Sequence, residues 1–428
     1  MQMIHGHAAK IFCSIGVAAV LFLSAATAGA DPDFMPDRRR SQYRTEPAHV
    51  IVPYLFDLPG IGSGYGFLGA TSNILGSYTD LSGTFFTGDV TGEAGAIDSI
   101  HIIPRRLILD LGGAHLSRVS LQSYSQRGMG SDKNDYSVAV FGDSLFGGSR
   151  LTLTFMERRF EVYFGEYGGS SRLKSLKDRE GDTIIDAEDA PKSHISSAVF
   201  GTLIDITDDS FDPRRGGRLD VSLWRTPPQG SGPDFYIVNY DATAYIPIGS
   251  RSTWAFNYFR SDAHVLKEGE TDPAVIEQEQ GLDCGSITDP VEQTRCLQFV
   301  DNTVSENRFG TASSLGGLSR LRSYSEGRFR GAHSEFLGTE LRWNLTDEYK
   351  PFNIYIMKDI RTAVQIALFY EIGTVVDNPA DLRSITRSSY GGGMRLVTAS
   401  GVVYRVDLAL GKEGFSPSIF FQYPWELF

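Results

Sequence analysis

From Gly62 onward the chain is dominated by alternation. Between Ala363 and Gly373 the residues Val364, Ile366, Leu368, Tyr370 and Ile372 take one side of an extended backbone, and Ala363, Gln365, Ala367, Phe369 and Glu371 take the other. Successive side chains of a strand point to opposite faces, so this is a strand with one greasy face and one small or polar face. Val402 to Gly411 repeats the pattern, with Val402, Tyr404, Val406, Leu408 and Leu410 against Val403, Arg405, Asp407 and Ala409. Phe336 to Leu345 does so again, with Leu337, Thr339, Leu341, Trp343 and Leu345 against Gly338, Glu340, Arg342 and Asn344. Charged residues therefore share a side.

About sixteen such runs follow one another, the first near Gly62 and the last near Phe415, with separate runs at Tyr136 and Leu151. Many reach about ten residues with aromatics near their ends, whereas strands of a soluble sandwich usually span about 5 to 6. An even number of long strands with a shared polar side predicts an all-β fold, a transmembrane antiparallel β-barrel of about 16 strands over residues 62–428, its lumen lined by Glu340, Arg342, Arg405 and Asp407. No internal repeat suggests a propeller or solenoid.

Two polar segments interrupt the runs, Gly168 to Lys192 and the longer Ser261 to Gly331, and both read as surface loops. A loop as long as the second is usually functional. Its last part, Leu315 to Gly331 (LGGLSRLRSYSEGRFRG), holds Arg320, Arg322, Arg328 and Arg330. Guanidiniums so placed must sit in water or meet carboxylates, so the segment is either a solvated basic loop or a docked one.

Composition adds an address and removes some functions. With 41% hydrophobic and 12% aromatic residues, 46 Gly and a net charge of −12, the chain fits a large β protein and not a nucleic-acid partner. Residues 1–30 read as a secretory signal peptide: His5, His7 and Lys10 precede an apolar stretch from Ile11 to Ala26, and Ala28-Gly29-Ala30 gives a cleavage site. The alternative, a retained anchor, meets a core of about 16 residues where a spanning helix needs roughly 20. Residues 31–61 are read as a polar N-terminal segment on the periplasmic side, with the run Arg38, Arg39, Arg40.

Cys13 leaves with the signal peptide, and Cys284 and Cys296 read as one disulfide in an exported protein, or else as two free thiols. Closing so short a loop is worth about 3 kcal/mol, a local staple. Asp178, Glu180, Asp182 and Asp186 stand at positions 1, 3, 5 and 9 of DREGDTIID, a spacing that can gather oxygens around Ca²⁺, although a solvated acidic loop explains it equally. Asp189 stands at position 12, where a bidentate Glu is expected. VAVFGDSLFGGS would offer Ser144 as a hydrolase nucleophile, but no downstream Asp-x-x-His follows and a Gly-rich hairpin turn is the better reading. No HExxH, Walker or G-x-S-x-G sequence occurs, so the chain is not read as an enzyme.

From Gly62 to Phe428 these features resemble the BamA/TamA-type outer-membrane barrels, the bacterial surface antigen domain. LRSYSEGRFRG is similar to the VRGY-type sequence of the family's sixth external loop, with Leu321, Arg322, Ser323 and Tyr324 at the motif and Ser323 in place of its glycine. DDSFDPRRGGRLDVSL resembles the Asp-x-Pro-x-x-Gly segment, LFYEIGTVVD the Phe-Phe-Asp-Ala-Gly strand with Glu371 for the aspartate, and SYGGGMRLVTASGVVYRVDLALG the Gly-x-Gly-x-Arg and Leu-x-Leu-Asp strands. The chain ends on Phe428, the position of the barrel-insertion signal, with Pro424 inside that signal.

The resemblance implies that the long loop folds into the lumen and that Arg322 docks on the inner wall, where alternation had already placed Glu371. Arg395 and Asp407 are further inward candidates. It implies an outer-membrane location in a Gram-negative bacterium, outer-membrane lipid as surroundings, and the barrel-assembly machinery during biogenesis. No cofactor is expected beyond the possible Ca²⁺. The activity implied is insertion or passage of polypeptides or lipids through a seam between first and last strands. Residues 31–61 leave no room for a POTRA module, so a separate periplasmic partner would deliver cargo, with Asp31 to Pro59 as its docking segment. The alternative is a passive porin-like channel or a structural outer-membrane protein.

Overall fold

The computed structural model describes Tyr43 and residues 47–425, apart from 125, 187–191, 229, 281, 347–351, 355–356, 361 and 399–401. Expectations for the signal peptide and for Phe428 lie outside the described residues. Among the described residues, 16 strands close an antiparallel barrel. They begin with β1 (Ala48–Leu58), β2 (Gly62–Ser72), β3 (Asp80–Gly88), β4 (Thr91–Ile103), β5 (Leu107–Tyr124), β6 (Tyr136–Phe155), β7 (Phe160–Lys177) and β8 (Ser193–Asp205). The second half is β9 (Gly216–Thr226), β10 (Asp234–Ile248), β11 (Ser252–Lys267), β12 (His333–Asn344), β13 (Thr362–Val376), β14 (Arg387–Thr398), β15 (Val403–Gly411) and β16 (Gly414–Phe421). Each strand pairs with the next, and β1 meets β16. A short strand, Thr183–Asp186, pairs antiparallel with the last residues of β7. No helix among the described residues is long and apolar enough to cross a membrane.

The parity expected from alternation holds where it can be read. Leu368 and Leu408 are 60% and 50% exposed, while Glu371, Arg395 and Asp407 are fully buried. Phe67, Phe85, Phe164, Phe200 and Trp343 extend the exposed apolar belt around the outside. A surface this greasy belongs in hydrocarbon, and the charges inside it are screened from lipid.

Three expectations are corrected. The barrel starts at Ala48 and not at Gly62, because β1 carries apolar residues on both faces (Ile51 and Leu55 outside, Phe56 inside) and so shows no alternation to read. The runs at Tyr136 and Leu151 are one 20-residue strand, β6, whose alternation is interrupted by a register shift between Gly142 and Leu145. These two errors cancel in the count. Gly168 to Lys177 is strand and not loop: β7 continues to Lys177. At about 3.3 Å per residue β6 spans roughly 65 Å, well beyond a hydrocarbon core of about 30 Å, so β5, β6 and β7 rise clear of the membrane.

In an antiparallel ring alternate connections fall at the same end. One end carries the segment between β11 and β12, read as a loop from Ser261 to Gly331: β11 runs on to Lys267, and beyond it the segment holds helices α1 (Pro273–Gln280) and α2 (Pro290–Phe309). Cys284 and Cys296 form the expected disulfide, Cα to Cα 5.5 Å, tying the turn after α1 to α2. The other end carries short turns apart from the longer β8–β9 and β12–β13 connections, the second of which holds a hairpin of Phe352–Ile354 with Met357–Ile360. Tyr43 is buried there, its hydroxyl donating to the Arg105 carbonyl at 3.1 Å and meeting the Thr154 hydroxyl at 3.0 Å.

Candidate functional site

After α2 the chain turns into the lumen. Arg127, from the β5–β6 connection, fixes the entry: it donates to the Gly310 carbonyl at 2.8 Å and the Thr311 hydroxyl at 2.9 Å while paired with Asp377 at 2.6 Å. Leu315 and Phe329 pair through their backbones, so residues 315–329 form a closed loop whose apolar side chains Leu315, Leu321, Tyr324 and Phe329 pack with Phe259, Phe336 and Val375 of the inner wall. The loop is a plug with its own apolar contacts.

At its tip Leu321 sits at φ 54, the left-handed region that costs a branched residue about 1–2 kcal/mol, and Tyr324 N–H closes the turn on the Leu321 carbonyl at 3.0 Å. That turn presents Arg322. Its backbone N–H donates to Glu371 Oε2 at 2.9 Å and its Nε to Glu371 Oε1 at 2.8 Å, so the carboxylate grips main chain and side chain together. Its Nη1 reaches Glu340 at 3.0 Å and Asp407 at 2.9 Å, and the guanidinium lies 3.5 Å from the Phe369 ring centroid. Burial alone would lower its basicity. The charges of Glu371, Asp407 and Glu340 outweigh that and hold it above the ordinary arginine value.

The expected partners Glu371, Arg395 and Asp407 are thus all brought together. Arg395 contacts Arg322's two other acceptors, Glu340 at 2.7 Å and Asp407 at 3.2 Å. Glu340, read as inward but not as a partner, is the hub that was missed: it also takes Arg342 at 2.9 Å. Arg405 pairs with Asp407 at 2.6 Å and donates to the Leu318 carbonyl at 2.6 Å. Four guanidiniums share three carboxylates, all buried. Gly393 makes room, since a Cβ there would stand 2.0 Å from Asp407 Oδ1.

Ser323 in place of the motif glycine is accommodated: its N–H donates to Ser389 Oγ at 3.0 Å, and its side chain faces Gly411, where a Cβ would stand 2.1 Å from Ser323 Oγ. The other three arginines also find partners, Arg320 on the inner wall and Arg328 and Arg330 among residues at the ends of β15 and β5. Arg320 pairs with Asp241 and covers the Phe259 ring, Arg328 takes Glu413 at 2.8 Å, and Arg330 donates to the Tyr124 carbonyl at 2.6 Å. The cluster continues toward the short turns: Arg342 lies 3.9 Å from the Tyr423 ring centroid, and the Tyr423 hydroxyl donates to Asp212 at 2.5 Å.

The seam is the second feature. β1 pairs with β2 from Ala48↔Ser72 to Leu58↔Gly62, but with β16 only at Asp57↔Ile419. Each seam strand carries a proline, Pro53 or Pro417, which has no N–H to donate across a ladder. The Tyr404 hydroxyl bridges the gap, donating to the Leu55 carbonyl at 2.9 Å, and the Phe421 ring packs edge-on to Tyr54. The plug touches this side too, through Glu326 N–H to the Pro59 carbonyl at 2.8 Å.

Three expectations gain no site. Asp178 accepts the Asp182 N–H at 2.7 Å and Glu180 pairs with Arg179 at 2.8 Å; among the described residues no group of three His, Cys, Asp or Glu side chains is disposed to hold a metal, so the Ca²⁺ set is not assembled. Ser144 points inward, its hydroxyl without a hydrogen-bond partner, while the neighbouring Asp143 pairs on the outside with Lys192 at 2.7 Å; no base is in reach. Ala48 to Leu58 is a barrel strand and cannot serve as a free docking segment.

No curated protein matches the chain. Among solved structures it is similar to BamA from Haemophilus ducreyi lacking POTRA domains 1-3, at 14% identity and TM-score 0.46 over 88% of this chain and 70% of that one. It is also similar to CdiB from Escherichia coli, at 12% identity and TM-score 0.49 over 90% and 68%. The Omp85 superfamily domain matches residues 117–413, from within β5 to the β15–β16 turn, and the chain belongs to the Omp85 superfamily.

Proposed function

We propose that this barrel lies in the outer membrane of a Gram-negative bacterium and assists the insertion or passage of polypeptides or lipids by parting its β1–β16 seam, with the plug held against the inner wall by Arg322. The end with α1 and α2 is external and the short turns are periplasmic. The observation that carries this reading is the seam itself: one backbone pair joins two proline-bearing strands, where β1 and β2 pair along their whole length. A wall that must open at one place needs few hydrogen bonds there, because each costs about 0.5–1.5 kcal/mol to give up.

The plug disfavours a passive channel, since the lumen is crossed by a packed loop. The test is a reversible lock. Asp57→Cys with Ile419→Cys places two thiols at paired strand positions, and oxidation should abolish delivery of cargo to vesicles holding the protein, with recovery on reduction. Unimpaired delivery by the fully oxidised protein overturns the reading.

A further inference from the structure

The lumen is divided. The charged cluster lies against β12 to β15 and the apolar side of the plug packs on β10 to β13, while β1 to β8 and β16 line a partly open cavity of about 620 Å³ with Tyr54, Phe56, Phe86, Leu116, Phe141 and Phe421 among others. Around it Phe56, Val90 and Val119 are buried as a separate apolar cluster. Barrels of this class have polar interiors facing water, so an apolar inner wall calls for an apolar content. The volume lies within the range of about 300–1,000 Å³ typical of ligand sites.

We infer that this cavity holds the hydrocarbon chain of a fatty acid or membrane lipid. Polar chemistry selects that occupant. The Tyr54 and Thr84 hydroxyls satisfy each other at 2.6 Å, and Ser171 is paired with Ser193 at 3.1 Å. The Ser144 hydroxyl, 1% exposed, is left as a donor with no protein partner, enough for one carboxyl or ester carbonyl. A polypeptide would bring an N–H and a C=O at every residue, which a hydrocarbon wall cannot satisfy. An acyl chain brings none. The route is also present: Tyr54 and Phe421 belong to the two seam strands, so the cavity wall adjoins the membrane at the join with a single backbone pair. The inference stands on the cavity and does not require the cargo reading, so either can fail alone.

The test uses the full chain in phosphatidylethanolamine vesicles doped with palmitic acid bearing a terminal diazirine. Irradiation and peptide mapping should place label on inner residues such as Phe56, Phe86 or Phe141, and unlabelled palmitate should compete. Ala94→Trp, which fills the cavity from β4, should lower inner labelling at least tenfold while the outward Phe67 and Phe85 label as before. Val119→Phe is the second variant should the first lose the heat-modifiable gel mobility of a folded barrel. Label confined to outward residues, or inner label that neither folded variant reduces, overturns the inference. So does competition by an apolar peptide where palmitate fails to compete.

Discussion

Arg322 fills its place because no other side chain offers a planar fork to three carboxylates and a flat face to Phe369 at once. Removing one member of a buried ion pair commonly costs about 3–5 kcal/mol, because the others stay buried and unmatched. Arg322→Ala and Glu371→Ala should therefore release the plug, seen as new protease cleavage within residues 310–332 and altered heat-modifiable mobility in folded barrels. Unchanged cleavage in both sinks the docked-plug account. Glu340→Gln should behave alike, since Glu340 is shared by Arg322, Arg342 and Arg395. Alternation made Glu371, Glu340 and Asp407 legible as inward residues, one at a time. It did not say that Glu340 is the hub, because period 2 fixes which face a residue takes and not how deep in the barrel it lies relative to a strand two places away.

Among the elements, the disulfide and the prolines make opposite contributions. Cys284–Cys296 closes a short loop at the base of α2, so its stabilisation of about 3 kcal/mol belongs to that subregion and not to the barrel. Cys284→Ser with Cys296→Ser should speed amide exchange across α1 and α2 while the barrel's unfolding temperature moves little. A drop in barrel stability as large as that of Arg322→Ala overturns this. Pro53→Val and Pro417→Val restore two backbone donors at the seam. Together they should slow seam opening, read as a weaker response to cargo and slower exchange of β1 amides, and faster exchange sinks the idea. The seam was poorly legible for the same reason that β1 was missed: a strand with lipid outside and an apolar cavity inside has no polar face to alternate with.

At the scale of the whole molecule, a barrel with a packed plug on one side and an apolar cavity on the other should conduct poorly. In planar bilayers the protein should give small, flickering currents, and Arg322→Ala should raise both their size and duration. A steady, large conductance in the unaltered protein favours the porin-like alternative. The extra height of β5 to β7 was hidden in the sequence by glycines and a register shift that imitate a turn, as at Gly147 and Gly148 in β6.

The sequence by itself determined the class of the fold, the inward placement of its charges and the disulfide, because strand parity and chain-local spacing are short-range properties written residue by residue. Only the tertiary structure decided that Arg322 meets Glu340, Glu371 and Asp407 at one point, that β1 closes on β16 through a single pair, and that an apolar cavity opens beside that seam. Those facts depend on strand stagger and ring closure, which bring together residues far apart in the chain that no local pattern relates.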